Sequence, residues 1–233
     1  MSVSRLALLL VLLAPLAQAD GGDDGPDPAR VAAPELRAEV QAIVADPSVS
    51  CRVERRVRCA AEIYRSLLAD LPLAGKALRA LELGDYAIEA VEGGCTIDDK
   101  AGARARCVTA YDLPDRIMVV ARGVVAQSPL PEVHGTGVIH VTWAGVEGEP
   151  GLLEARCTVA FRLESRLLHL LTGPFRKLLG EVLGEKLTRL VDAAAPLAEA
   201  IQKDPVAVLS ALERRGEASP EELQRYRDRY LLR

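Results

Sequence analysis

From about Asp85 to Leu163 the chain alternates apolar and polar residues in six short runs, and from Thr172 to about Gln202 it continues as one uninterrupted amphipathic helix. Short strands separated by Gly, Pro and Asp clusters pair with their neighbours in sequence, which gives an antiparallel meander rather than a sheet built on crossovers. A helix of that span, about 46 Å at 1.5 Å per residue, is long enough to cross such a sheet diagonally. Sheet and helix together enclose a groove, and grooves of this kind suit apolar ligands better than they suit chemistry.

The strand candidates are Asp85 to Val91, Cys95 to Asp98, Ala103 to Tyr111, Arg116 to Ala126, Gly135 to Gly145 and Gly151 to Leu163. Parity assigns their buried side. Ile117, Val119, Ala121, Gly123 and Val125 share one face, as do Leu153, Ala155, Cys157, Val159, Phe161 and Leu163, and Ile139, Val141 and Trp143 form a third apolar row. Arg104, Arg106, Arg122, Glu154, Arg156 and Arg162 occupy the outward rows, as expected of a sheet wet on one side. His140 and Thr142 fall on that outer face, where a solvated histidine is expected.

A further strand precedes these. Val49, Cys51, Val53 and Val57 alternate with charged or polar residues, and Arg55 falls on the apolar side. Its guanidinium is a candidate anchor for an acidic head group at the mouth of a pocket, unless a twist of the strand carries it to water. Two short helices follow, Ala60 to Asp70 and Leu73 to Leu81, separated by Leu71-Pro72. In the long helix Leu171, Phe175, Leu179, Leu183, Leu187, Leu190 and Ile201 belong to the apolar stripe, Thr172 is a candidate N-cap and Pro196 a candidate kink. Gly180 and Gly184, at the edge of the stripe, permit close approach of a strand or leave room for a ligand.

The ends carry different signals. Arg5, the apolar run Leu6 to Leu13 and Ala17-Gln18-Ala19 form a secretory signal peptide, residues 1–19. The run is too short for a spanning helix of about 20 residues, and no later segment is apolar enough to cross a bilayer. The mature chain is expected to be periplasmic or secreted. Residues 20–34 are too rich in Gly, Pro and Asp to pack and read as a disordered linker, with no EF-hand spacing. Leu36, Val40, Ile43 and Val44 then recur at helical spacing, which makes an N-terminal helix the start of a domain spanning 35–203. Residues 204–233 form a helical extension, with Pro205 to Arg214 as one helix and Pro220 to Leu232 as another behind the capping box Ser219-Pro220-Glu221-Glu222. Its expected role is packing, with a partner surface as the alternative.

Composition narrows the function. Removing Arg5 from 29 basic residues leaves 28 against 33 acidic ones, a mature net charge of −5, which disfavours nucleic acid and anionic lipid. Five cysteines, at 51, 59, 95, 107 and 157, would meet an oxidising compartment. Cys95 and Cys107 flank the turn 98–102 symmetrically, so a hairpin sets them opposite each other. They are a candidate disulfide, worth about 3 kcal/mol if closed, or else two small buried thiols lining a cavity. No Cys/His spacing suggests a metal, no cofactor motif is present, and GxSxG, HExxH, P-loop and GxGxxG patterns are absent. Asp98 and Asp99 sit in a hairpin turn, where aspartate serves backbone geometry and needs no catalytic role. His134, beside Pro131-Glu132, is a loop residue.

A strand, two short helices, six antiparallel strands and a long closing helix make up the span from Val49 to Gln202. With the stretches YRSLLADLPLAGKALRALELGDY and HLLTGPFRKLLGEVLGEKLTRLVDAA, it resembles the START and polyketide-cyclase superfamily, also called SRPBCC. The resemblance implies an α+β helix-grip fold: a seven-stranded antiparallel sheet curved around a long C-terminal α-helix, here with added N- and C-terminal helices. It also implies a cavity for lipids, sterols, polyketides or other apolar molecules. The inward rows, rich in Ala, Gly, Cys and Val, point the same way, since small side chains leave space. The candidate wall consists of Ile117, Val119, Ala121, Ile139, Val141 and Trp143 from two strands, Cys157, Val159 and Phe161 from the last, and Phe175, Leu179 and Leu183 from the helix. Three readings follow in order: an exported carrier of an apolar small molecule or lipid, an envelope interaction protein whose groove its own side chains fill, and an enzyme of cyclase or hydrolase type. A protein partner is not specified by the sequence.

Overall fold

The computed structural model describes residues 25–127, 132–164 and 173–232, with side chains from Arg176 onward in the last stretch. Residues 1–19, where a signal peptide is expected, Leu171, Thr172 and the side chain of Phe175 lie outside the described residues. Strand β1 (Val49–Arg58) is followed by helices α2 (Ala61–Ala69) and α3 (Leu71–Ala80), with α1 (Pro34–Ala45) ahead of it. Then come β2 (Ala87–Val91), β3 (Gly94–Asp98), β4 (Ala103–Leu113), β5 (Arg116–Val125), β6 (Val133–Gly145) and β7 (Leu152–Leu163). Helices α4 (Gly173–Lys203), α5 (Pro205–Arg215) and α6 (Pro220–Tyr230) complete the chain.

All seven strands form one antiparallel sheet in the order β1-β7-β6-β5-β4-β3-β2. The meander from β2 to β7 follows from the short turns, and β1 adds to its far edge by pairing Val49 to Arg58 with Phe161 to Leu152. Because β1 and β2 lie at opposite edges, α2 and α3 must carry the chain across one face of the sheet. This is the helix-grip arrangement, with α4 as the gripped helix.

Local chemistry sets the element ends. Asp70 caps α3 by accepting the Leu73 N–H, and Pro72 sits in the first turn, so Leu71-Pro72 opens the second helix rather than separating it from the first. Asp204 caps α5 in the same way, and Gly216 ends it in the left-handed region at φ 70°. The capping box of α6 is formed between Ser219 and Glu222. The extension packs as expected: Val208, Leu209, Leu212 and Tyr226 join the main core, and Lys76 of α3 pairs with Glu222.

Two expectations about exposure are corrected. The outer face of the sheet is not uniformly wet, because α1 and a 3₁₀ turn at Pro28–Arg30 cover its middle. There Met118, Val120, Val138 and Ala160 pack against Val31, Val40 and Ile43. His140 belongs to this covered region, is 1% exposed and meets the Tyr111 ring edge-on at 6.0 Å. The unbroken apolar run Ile117 to Val120 is the signature of a strand buried on both faces. The stretch 20–34 also packs over part of its described length, since Val31 is wholly buried. A β-bulge between Thr109 and Tyr111 turns the Tyr111 ring to this outer cluster.

If residues before α1 are structural, Val31→Ala removes two buried methyl groups and lowers the unfolding free energy by about 2 kcal/mol. Urea denaturation of the two proteins measures it; an unchanged midpoint would mean that the segment contributes no packing.

Candidate functional site

The inner face of the sheet is held by α4 at both ends of its width. On the β1 side, Arg55 Nε donates to Asp192 at 2.6 Å, the Arg58 N–H to Glu199 at 3.1 Å and the Ala60 N–H to Gln202 at 2.8 Å. Glu199 and Gln202 thereby satisfy backbone donors around the end of an edge strand, which otherwise invites pairing with another chain. On the far side, Lys186 Nζ donates to Asp99 at 2.6 Å and to the Ala101 carbonyl at 2.8 Å in the β3–β4 turn. One helix thus joins an edge strand to a hairpin four strands away, and the sheet must curve to allow it.

Asp99 does the turn work expected of it, accepting the Ala101 and Ala103 N–H groups at 2.9 and 2.7 Å. Burial alone would raise its pKa, but the hydrogen bonds from Lys186, Ala103 and Ala101 outweigh that and hold it below the ordinary carboxylate value. Asp98 accepts from the Lys100 N–H and is likewise a turn residue.

Between these attachments the interior divides into separate apolar clusters. One lies where Ile117, Val141, Trp143, Leu153, Ala155 and Cys157 meet α2, α3, the second half of α4 and the extension. Another joins Val49, Val125 and Val133 to Leu179 and Val182 of α4. A third gathers Ile88, Cys95, Cys107 and Val119. Between them part of the inner face stays partly exposed: Cys51, Val159 and Ile139 in one row from the edge strand β1 across β7 to β6, with Ala121 and Ala105 on the neighbouring strands. The row runs inward from the edge strand β1, and its side chains border the main apolar cluster without being fully covered by it.

The residues expected to form the wall are thereby sorted. All those on the sheet point inward. Ile117, Val141, Trp143 and Cys157 are packed under helices, and Trp143 stacks edge-on with Tyr64 at 5.6 Å. Leu179 is fully buried in the second cluster and Val119 in the third, whereas Ala121, Ile139, Val159 and Leu183 retain exposure. Phe161 lies flat over β6: a Cβ on Gly135 or Gly137 would stand 2.5 or 3.2 Å from its ring. Arg55 falls on the inner side as parity requires, and its guanidinium is held by Asp192. Gly180 approaches β1, where a Cβ would lie 3.5 Å from Val49, while Gly184 faces open space.

A cleft of about 120 Å³ opens on the inner side where Leu68, Leu71 and Pro72 of the α2–α3 junction face Cys95, Cys107, Thr109 and Val119. The sequence did not single out this junction as a wall; the signal was Leu71-Pro72, which brings an apolar corner over β3 and β4. Two wider depressions, of about 430 and 280 Å³, lie over the outer face and are lined mainly by charged residues, among them Arg104, Arg106 and Arg122 in the first and Arg116 and Arg156 in the second. Among the described residues there is no cluster of metal-ligating side chains, and no helix is long and apolar enough to cross a membrane.

No family model and no curated protein matches the chain. Solved structures resemble it. A START superfamily protein from Mycobacterium smegmatis is 11% identical, with 65% of this chain and 98% of that one covered and a TM-score of 0.46. A conserved protein from Geobacillus kaustophilus is 12% identical over 65% of this chain and 97% of its own, with a TM-score of 0.45. A protein from Thermus thermophilus is 14% identical over the same shares, with a TM-score of 0.37.

The Lys186–Asp99 contact has a calculable consequence. A carboxylate whose folded pKa is depressed stabilises the fold above its unfolded value, near 4, and that contribution is lost as pH falls through the lower folded value. Asp99→Asn leaves a largely buried ammonium without its counter-charge and is expected to lower stability at pH 7 by about 2 kcal/mol. The gap between variant and parent narrows as pH drops below 4. Urea midpoints at pH 7, 5 and 3 measure it, and a gap independent of pH would exclude the ion pair as its source.

Proposed function

We propose that the mature chain is exported and holds an apolar small molecule or a lipid chain between the inner face of the sheet and α4. One observation supports this reading: the row Cys51, Val159 and Ile139, running from the edge strand β1 to β6 on the inner face, is only part-buried, while apolar clusters close the interior towards either end of α4. Leaving such a row uncovered forfeits roughly 25 cal/mol for every Å² of apolar surface, and a bound hydrocarbon would recover it. The signal at residues 1–19 supports export to the periplasm or the medium.

One observation favours the second reading, an envelope interaction protein with a self-filled groove. The inner-face cleft measures about 120 Å³, whereas small-molecule sites run from about 300 Å³ upward. The two readings separate in one experiment. The chain is expressed with its leader in an exporting host, and its native and denatured masses are compared, with extraction into organic solvent. The carrier predicts an added mass that leaves on denaturation and partitions into the solvent, on a polypeptide beginning at Asp20. A clean apo mass, with no uptake from a total lipid extract, supports the interaction protein instead.

Filling the hollow gives an independent check. Ala121→Phe projects a ring over the open row and is expected to weaken uptake of a fluorescent fatty-acid probe by more than tenfold without lowering the melting temperature. Unaltered uptake in a folded variant would place binding elsewhere.

A further inference from the structure

Cys95 on β3 and Cys107 on β4 are direct register partners, and both thiols are free. No other cysteine stands opposite a second one in the strand register: Cys51 faces Val159, Cys157 faces Val53 and Val141, and Cys59 lies past the end of β1. Residues opposed in an antiparallel pair have Cα atoms about 4.5–5.5 Å apart. That separation falls inside the roughly 4.4–6.8 Å over which a disulfide closes without moving the backbone. Both residues also line the 120 Å³ cleft beneath Leu71 and Pro72, which gives a small reagent an approach to the pair.

We propose that Cys95 and Cys107 form a redox-active dithiol that closes reversibly to a cross-strand disulfide in the wall of this cleft. The oxidant is a low-molecular-weight disulfide. The Cys95 thiolate attacks one of its sulfurs, the S–S bond breaks, and the departing thiolate takes up the proton lost by Cys95. Cys107 then gives up its proton and attacks the Cys95 sulfur of the mixed disulfide, releasing the second small thiol. Two protein thiols are oxidised and one small disulfide is reduced to two thiols.

The surroundings fit that order. Hydrogen bonding with Cys107 lowers the pKa of Cys95, while hydrogen bonding with Cys95, followed by burial, raises that of Cys107, so Cys95 is the thiolate that attacks first. Elsewhere burial pushes Cys51 up to about 11 and Cys157 up to about 12, which leaves them unreactive at neutral pH. Strands β3 and β4 already pair without the bridge. Because that pairing does not depend on the link, the folded protein can hold the pair open or closed.

The test uses the whole folded protein in glutathione disulfide and glutathione buffers at pH 8, quenched with acid, denatured and alkylated. Mass spectrometry then counts the blocked thiols. In the oxidised protein three of the five cysteines are expected to alkylate, with peptides carrying Cys95 and Cys107 joined, and all five after dithiothreitol. Five alkylated thiols at every buffer ratio would overturn the proposal. So would a bridge that includes Cys51, Cys59 or Cys157, or glutathione retained on Cys95.

Discussion

The structure depends on one helix being attached to two distant parts of one sheet. Asp192, Glu199 and Gln202 of α4 hold β1, while Lys186 holds the β3–β4 turn. The contacts on β1 are part-exposed and individually worth little. The Lys186–Asp99 pair is different, because both side chains are mostly buried, at 12% and 14% exposure, and Asp99 also organises the turn it sits in. Loss of that pair would free the hairpin from the helix. The curvature of the sheet, and with it the space under the helix, rests on this attachment.

The apolar side chains between the sheet and α4 gather towards the two ends of the helix. Leu179 and Val182 close one end against Val49, Val125 and Val133, and Leu187, Val191 and Leu197 close the other together with α2, α3 and the extension. The C-terminal helices are therefore part of the core, and Tyr226 is among its most deeply buried residues. Phe161 would be expected to fill the middle, but it lies down over Gly135 and Gly137 instead of standing into the space. The row of Cys51, Val159 and Ile139 remains only part-buried.

Much of this was legible in the sequence because it rests on periodicity. Alternation identified all seven strands and the inner-facing side of β1 and of β4 to β7, and the span of α4 followed from its apolar stripe. What was not legible rests on contacts between elements distant in the chain. Nothing local to Arg55 names Asp192, 137 residues away, as its partner. His140 looked solvated because its strand alternates, yet the cover over it comes from residues before β1. Val31 looked like linker because its neighbours are Pro, Asp and Ala; a single buried valine leaves no periodic trace. The wall residues were assigned to the right face, but which of them are packed and which open depends on where the helices land.

The small residues of the inner face differ in what they permit. At Gly123 a Cβ would stand 2.1 Å from the Arg104 carbonyl and 2.7 Å from the Ala105 Cα, so glycine there is required by the close approach of β4. Gly135 is required by the Phe161 ring in the same sense. Ala121 and Ala105 are under no such constraint from a positive φ, and both border the open row while keeping some exposure. Larger apolar residues at these two positions would bury more surface, at about 0.8 kcal/mol for each added methylene. A chain shaped by core packing alone would gain by carrying them. Alanine at both positions forgoes that gain next to a part-buried stretch of the inner face, as expected of a site where space is used.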